Sequence, residues 1–284
     1  MMKKLSIFLS LFTLILSACN TSAEVSISHA HGLAVDSQNS NRVLIATHQG
    51  LLSWEDGILS QVGTSQSDLM GFTPHPSQEN TYYSSGHPQM GSNLGFQKTS
   101  DGGENWELIS LGSDGPVDFH AMTINSKDPN VVYGWYHGAL QRSLDGGGTW
   151  EVLNTTLSEV ITLNGTADDP STVYAGTSQG LLVSTDKGET WGLLSEDLMG
   201  SVVIALAVNP TDSMEMLSFS GRLGLAKSTD GGKTWNSSDA EFGQDFPLYI
   251  AYSKTEPSTI YLLTKENKLY RSVDGGDTWN PLES

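Results

Sequence analysis

All seven histidines of this 284-residue chain lie before residue 138. Imidazole is the side chain whose charge changes near neutral pH and, when neutral, a common ligand for transition metals. His29 and His31 are two residues apart, which in an extended strand points both side chains the same way, and Asp118 stands two before His120 by the same rule. Together with His48, His87 and His137 they make a candidate metal-ligating set, to which Asp118 or Asp68 would add a carboxylate. These donors suit Zn²⁺, Cu²⁺ or Ni²⁺, and Met70, Met90 and Met122 are nearby in sequence should the ion be copper. Taken one at a time, each histidine would serve equally well to cap a strand or bond loop backbone. That reading leaves their clustering unexplained. Asp68 and Asp118 are also the carboxylate pair that a glycoside hydrolase would need, with Tyr82, Tyr83, Trp135 and Tyr136 available to stack on sugar rings or to fill a core.

The elements that must position these residues are visible as a repeat. One octapeptide recurs five times: Thr99-Ser-Asp-Gly-Gly-Glu-Asn-Trp106, Ser143-Leu-Asp-Gly-Gly-Gly-Thr-Trp150, Ser184-Thr-Asp-Lys-Gly-Glu-Thr-Trp191, Ser228-Thr-Asp-Gly-Gly-Lys-Thr-Trp235 and Ser272-Val-Asp-Gly-Gly-Asp-Thr-Trp279. Its tryptophans are spaced 44, 41, 44 and 44 residues apart, a period that fits four short strands and their turns, the unit of a propeller blade. The pattern makes sense as a hairpin, with Asp101, Asp145, Asp186, Asp230 and Asp274 accepting backbone N–H groups across the turn, glycine taking positive φ, and Trp106, Trp150, Trp191, Trp235 and Trp279 clamping a neighbouring strand. Each copy offers too few carboxylates for a Ca²⁺ loop.

Ahead of the octapeptides, alternating and β-branched segments predict further strands at Val160–Asn164 and Thr172–Ala175, Val202–Val208 and Met214–Phe219, and Leu248–Tyr252 and Thr259–Leu263. The same frame fits His31–Asp36, Arg42–Thr47, Gly50–Trp54 and Ile58–Val62, a first blade whose octapeptide has decayed to Ser53-Trp54-Glu55-Asp56-Gly57. The expectation is an all-β, six-bladed β-propeller of four-stranded blades over residues 29–284, the first and last blades each supplying their own strands. The longest insertion, Gly86 to Leu94, falls in blade two, where a loop that exceeds the repeat suits function. Since the first two strands of a blade are antiparallel, the start of one and the end of the next share a face of the disc. His29, His31, His48, His87, His120 and His137 then map to one face and His75 to the other.

The octapeptide resembles the BNR or Asp-box repeat of sialidases, sortilin-like receptors, xyloglucanases and photosystem II assembly propellers. That resemblance implies a structural role for the box, away from the working face. Segments His29-Ala-His-Gly-Leu-Ala34, Ala46-Thr-His-Gln-Gly-Leu51, Asn93-Leu-Gly95 and Asp118-Phe-His120 are similar to a family of bacterial lipoproteins described as glycosyl hydrolases with BNR repeats. Sialidase chemistry is disfavoured, because three arginines must converge on the substrate carboxylate. Only Arg42, Arg142, Arg222 and Arg271 exist, and Arg142 and Arg271 hold equivalent repeat positions. No nucleotide-binding loop, HExxH motif or nucleophile elbow is present.

Lys3 and Lys4 precede an apolar run from Leu5 to Leu16, which reads as an export signal over residues 1–18. The run ends in Leu16-Ser-Ala-Cys19, which resembles a bacterial lipobox, and Cys19 is the single cysteine. Acylation there would anchor the chain to a membrane through a linker over residues 19–28, on the outer side of a bacterial cell envelope. No thiol would remain for a disulfide. Loss of the two lysines takes the formal charge from −18 to about −20, a surface that repels nucleic acid. The expected function is a lipid-anchored binding or assembly module that presents the face of blades one to three to Zn²⁺ or Cu²⁺, or to a protein or glycan ligand. The alternative is a glycoside hydrolase acting on a polysaccharide.

Overall fold

The computed structural model describes residues 25–283; the leader, Cys19 and most of the linker lie outside the described residues. The regular structure there is all strand. Blade one is β1 (Ala30–Val35), β2 (Arg42–Thr47), β3 (Gly50–Glu55) and β4 (Ile58–Val62). Blade two is β5 (Asp68–Pro74), β6 (Tyr82–His87), β7 (Phe96–Thr99) and β8 (Glu107–Ser110), and blade three is β9 (Ala121–Ile124), β10 (Val132–Tyr136), β11 (Ala139–Ser143) and β12 (Glu151–Val152). Blade four is β13 (Val160–Gly165), β14 (Val173–Thr177), β15 (Gly180–Ser184) and β16 (Gly192–Leu193). Blade five is β17 (Val203–Val208), β18 (Met216–Ser220), β19 (Gly224–Ser228) and β20 (Asn236–Ser237), and blade six is β21 (Pro247–Tyr252), β22 (Ile260–Thr264), β23 (Leu269–Ser272) and β24 (Asn280–Leu282). Each blade is a meander of four antiparallel strands in sequence order, so the chain is a six-bladed β-propeller.

The expected strands are found with boundaries moved by a residue or two. Met214, for example, is left out of β18 because its N–H bonds the side chain of Asp212 in the preceding turn. Successive side chains on a strand point to opposite faces, and in the inner strands of each blade both faces pack against neighbouring blades, while the outermost strands β4, β8, β12, β16, β20 and β24 are largely exposed. The core accordingly divides into six clusters, one at each blade-to-blade contact.

The octapeptide turns carry part of that packing. In four of them the serine hydroxyl, and in blade two that of Thr99, donates to the aspartate and accepts the N–H of the glycine four residues on. The aspartate then accepts from the backbone and side chain of the residue before tryptophan. The bonded glycine must be glycine for two reasons. Its φ is positive, and at Gly147 an added Cβ would fall 2.0 Å from the Phe96 ring of the previous blade.

These bonds hold the carboxyls of Asp101, Asp145, Asp186, Asp230 and Asp274 down at about 2, the leading donor being the Asn105 side chain, the Thr149 N–H, and the Thr190, Thr234 and Thr278 hydroxyls respectively. A folded value below the ordinary 3.8 means that the ionised turns stabilise the fold fully above that value. The contribution is lost as pH falls through about 2. Denaturation by urea at a series of pH values should therefore show the midpoint falling from about pH 4 downward, less steeply once Asp230→Asn removes one of the carboxylates. An unchanged pH profile in that variant would contradict this role.

Blade one departs from expectation. Its β3–β4 connection is not a decayed octapeptide but a two-residue hairpin, with Asp56 at φ 50° and Gly57 at φ 85° between paired Glu55 and Ile58. Asp-Gly suits this turn because both central residues need positive φ. Nothing lies within 4 Å of a Cβ built on Gly57, so this turn does not reach blade six as the octapeptide glycines reach their neighbours. The seam is closed by side chains instead. The Trp54 indole donates to the Glu283 carbonyl at 3.2 Å, Tyr261 donates to the Ser40 carbonyl at 2.8 Å, and the two rings pack with centroids 6.5 Å apart. Ile27, from the segment before β1, rests on the same cluster.

Candidate functional site

The six first strands line an axial channel of about 350 Å³. In blades one, four, five and six the first strand carries a bulge near its start, where the register skips one residue, between Ala30 and Gly32, Val160 and Thr162, Val203 and Ala205, and Pro247 and Tyr249, and in blade two β5 shifts register further along, between Met70 and Thr73. A bulge leaves the extra residue unpaired and re-aims its side chain. The four skipped residues, His31, Ile161, Ile204 and Leu248, all line the channel. His120, just ahead of β9, lines it from blade three. The repeat thus supplies a position at the channel mouth, and blades one and three fill it with histidine.

Asp68, the first residue of β5, is the hub of this mouth. It is 3% exposed. His48 Nδ1, from the end of β2, lies 2.7 Å from its Oδ2, His87 Nε2, from the end of β6, lies 3.4 Å from the same oxygen, and His31 Nε2 lies 3.5 Å from Oδ1. The His31 and His48 rings stand nearly perpendicular with centroids 4.4 Å apart, and the His29 ring is 5.1 Å from His48 on another side. Gly86 makes the hub possible: with φ at 124°, an added Cβ would sit 2.0 Å from the Asp68 carbonyl. Only glycine lets β6 run so close beside β5 where Asp68 pairs with His87.

One potential ligand atom from each of His31, His48 and Asp68 falls within 4.8 Å of the others, a spread that one ion can span. His31 Nε2 and Asp68 Oδ1 are buried and have no hydrogen-bond partner, as is Asp118 Oδ1 close by. Burial holds His31 below the ordinary histidine value, against the pull of Asp68, which favours the neutral ring that metal binding requires. His120 behaves oppositely. Its Nε2 lies 3.7 Å from Asp118 Oδ2, and that interaction raises its value over the opposing effect of burial.

The remaining candidates are placed as follows. His137 is exposed, opens the two-residue β10–β11 turn at φ 51°, and stacks on Tyr136 4.0 Å away; it is not brought into contact with Asp68. His75 is buried at the other end of β5, its Nδ1 accepting the N–H groups of Ser77 and Gln78. Tyr82, Tyr83 and Trp135 are core residues, while Tyr136 bonds Asn93 of the long blade-two loop. Met122 lines the channel and Met90, on that loop, is 90% exposed. Arg142 is spent on Glu151 and Glu189, and Arg42 on Asp36. Sequence reasoning placed the histidines on one face but missed Gly86 and the bulges, whose only signal is a one-residue slip in the alternation.

No protein-family model and no curated protein match the sequence. Among solved structures the fold is similar to a GH74 xyloglucanase from Xanthomonas campestris, at 18% identity and a TM-score of 0.60, over 89% of this chain and 45% of that one. The YCF48 protein of Cyanidioschyzon merolae matches at 17% identity and a TM-score of 0.54, over 90% and 87% of the two chains. The extracellular domain of a putative hybrid two-component system from B. thetaiotaomicron matches at 14% and 0.59, over 89% and 33%. The chain spans less than half the length of the xyloglucanase. At these identities the likeness is one of fold.

Proposed function

We propose that this chain is a binding module of the bacterial cell envelope, built from Asp-box repeats and tethered through a lipid on Cys19, whose working surface is the histidine-bearing mouth of blades one to three. Its ligand there is a transition metal ion, Zn²⁺ or Cu²⁺. His31, His48 and Asp68 hold the ion. The observation that carries this reading is the convergence of three imidazoles, those of His31, His48 and His87, on one buried carboxylate that the protein leaves partly unsatisfied. A glycan-directed hydrolase would need Asp68 and Asp118 free to act on a sugar, whereas Asp68 is surrounded by three imidazoles.

Metal analysis of the protein purified without a histidine tag tests the proposal. One equivalent of Zn²⁺ or Cu²⁺ is expected after loading and desalting, lost in His31→Ala and in His48→Ala and kept in His75→Ala. A protein that retains no metal, or loses it equally in His75→Ala, would sink the site.

A further inference from the structure

The channel mouth is chemically divided. The skipped residues at the bulges of blades four, five and six are Ile161, Ile204 and Leu248, partly exposed apolar side chains facing the same channel that His31 and His120 enter from blades one and three. A bulge in a structural repeat does not itself require aliphatic side chains at these partly exposed positions. Further in, Leu33, Phe72, Met122 and Leu206 continue the apolar wall. The two ends of the channel also differ. At the far end His75 and Asn209 each accept two local bonds and Lys254 donates to the Pro76 carbonyl, and the Tyr252 hydroxyl is the group left without a partner. At the histidine end His31 Nε2, Asp68 Oδ1 and Asp118 Oδ1 are left without partners.

We infer that the channel is the second half of the metal site and takes a small organic ligand with two chemically distinct ends, a chelating oxygen-donor head bound to the ion and an apolar body lying against Ile161, Ile204 and Leu248. This inference rests on the metal reading above. Three protein ligands leave a four-coordinate ion one open position, and His31, which is both ligand and channel wall, puts that open side next to the channel. The volume of about 350 Å³ falls at the small end of organic-ligand pockets. Tyr249 lines the same wall and brings a phenolic hydroxyl that can donate to the head group.

Calorimetric titration of the Zn²⁺-loaded full chain with aceto-, butano- and hexanohydroxamate tests this. Each added CH₂ should tighten binding roughly three- to fourfold, the ratio that corresponds to about 0.8 kcal/mol. Ile204→Asn and Leu248→Asn should keep one equivalent of Zn²⁺ and lose most of the chain-length dependence. Zn²⁺ uptake with hydroxamate affinity independent of chain length, or with the dependence intact in both variants, would overturn the inference and leave the metal site standing. Failure to take up Zn²⁺ at all would overturn both.

Discussion

Replacing Trp54 with alanine is expected to destabilise the whole ring by roughly 3–5 kcal/mol, the range for removing a large buried aromatic side chain. Trp54 is 6% exposed and is the blade-one side chain that joins both the Tyr261 ring and the Glu283 carbonyl of blade six. Because every blade supplies its own four strands, no strand among the described residues crosses the seam between blades one and six. Blade one also lacks the octapeptide turn whose glycine packs against the previous blade elsewhere. Closure therefore rests on side-chain packing, and a cavity at Trp54 has no backbone ladder to limit it. Trp54→Phe, which keeps most of the apolar contact, should cost about 1 kcal/mol more than the packing change alone through the lost indole bond. Tyr261→Phe, which removes the bond to Ser40, should cost about 1 kcal/mol. Urea denaturation measures all three. A Trp54→Ala protein within about 1 kcal/mol of the parent would show that the seam is held by something other than these residues.

Exchanging Asp68 for asparagine should abolish useful metal affinity while leaving the fold in place. Asparagine keeps the volume and one carbonyl acceptor but removes the negative charge that three imidazoles share. Loss of a ligand bonded to the ion exceeds the 10–100-fold effect of an outer-shell change, so a fall of at least about 100-fold is expected. Thermal unfolding provides an independent readout. With Zn²⁺ at about 100 times its dissociation constant the parent gains about 2.7 kcal/mol, which for a chain of this size raises Tm by roughly 5–10 °C. Asp68→Asn should show no such rise. An equal rise in the variant would remove Asp68 from the site.

The blade period was legible because the octapeptide is under three constraints at once: an aspartate that accepts local bonds, a glycine pressed against the preceding blade, and a tryptophan that covers the turn. Any one would be weak evidence; their recurrence is not. Blade one was misread at its turn because Ser53–Gly57 contains the right residue types in the wrong order, with Trp54 before the turn in place of after it. The shared face of His31, His48 and His87 followed from strand direction alone. Their meeting at Asp68 did not, because it depends on β5 of one blade approaching β1 and β2 of another, and that depends on packing between blades. The bulges were invisible for a related reason: a skipped residue changes which side chain faces the channel without changing composition. His137 maps to the same end of its blade, yet its turn carries it to Tyr136 and outward.

The proposed ion would sit among His31, His48 and Asp68. X-ray absorption at the zinc edge of the loaded protein tests this placement most directly. The account predicts nitrogen and oxygen neighbours at about 2.0–2.1 Å, with outer-shell scattering from at least two imidazole rings that is lost in His31→Ala. A spectrum without imidazole scattering, or one unchanged by that substitution, would contradict it.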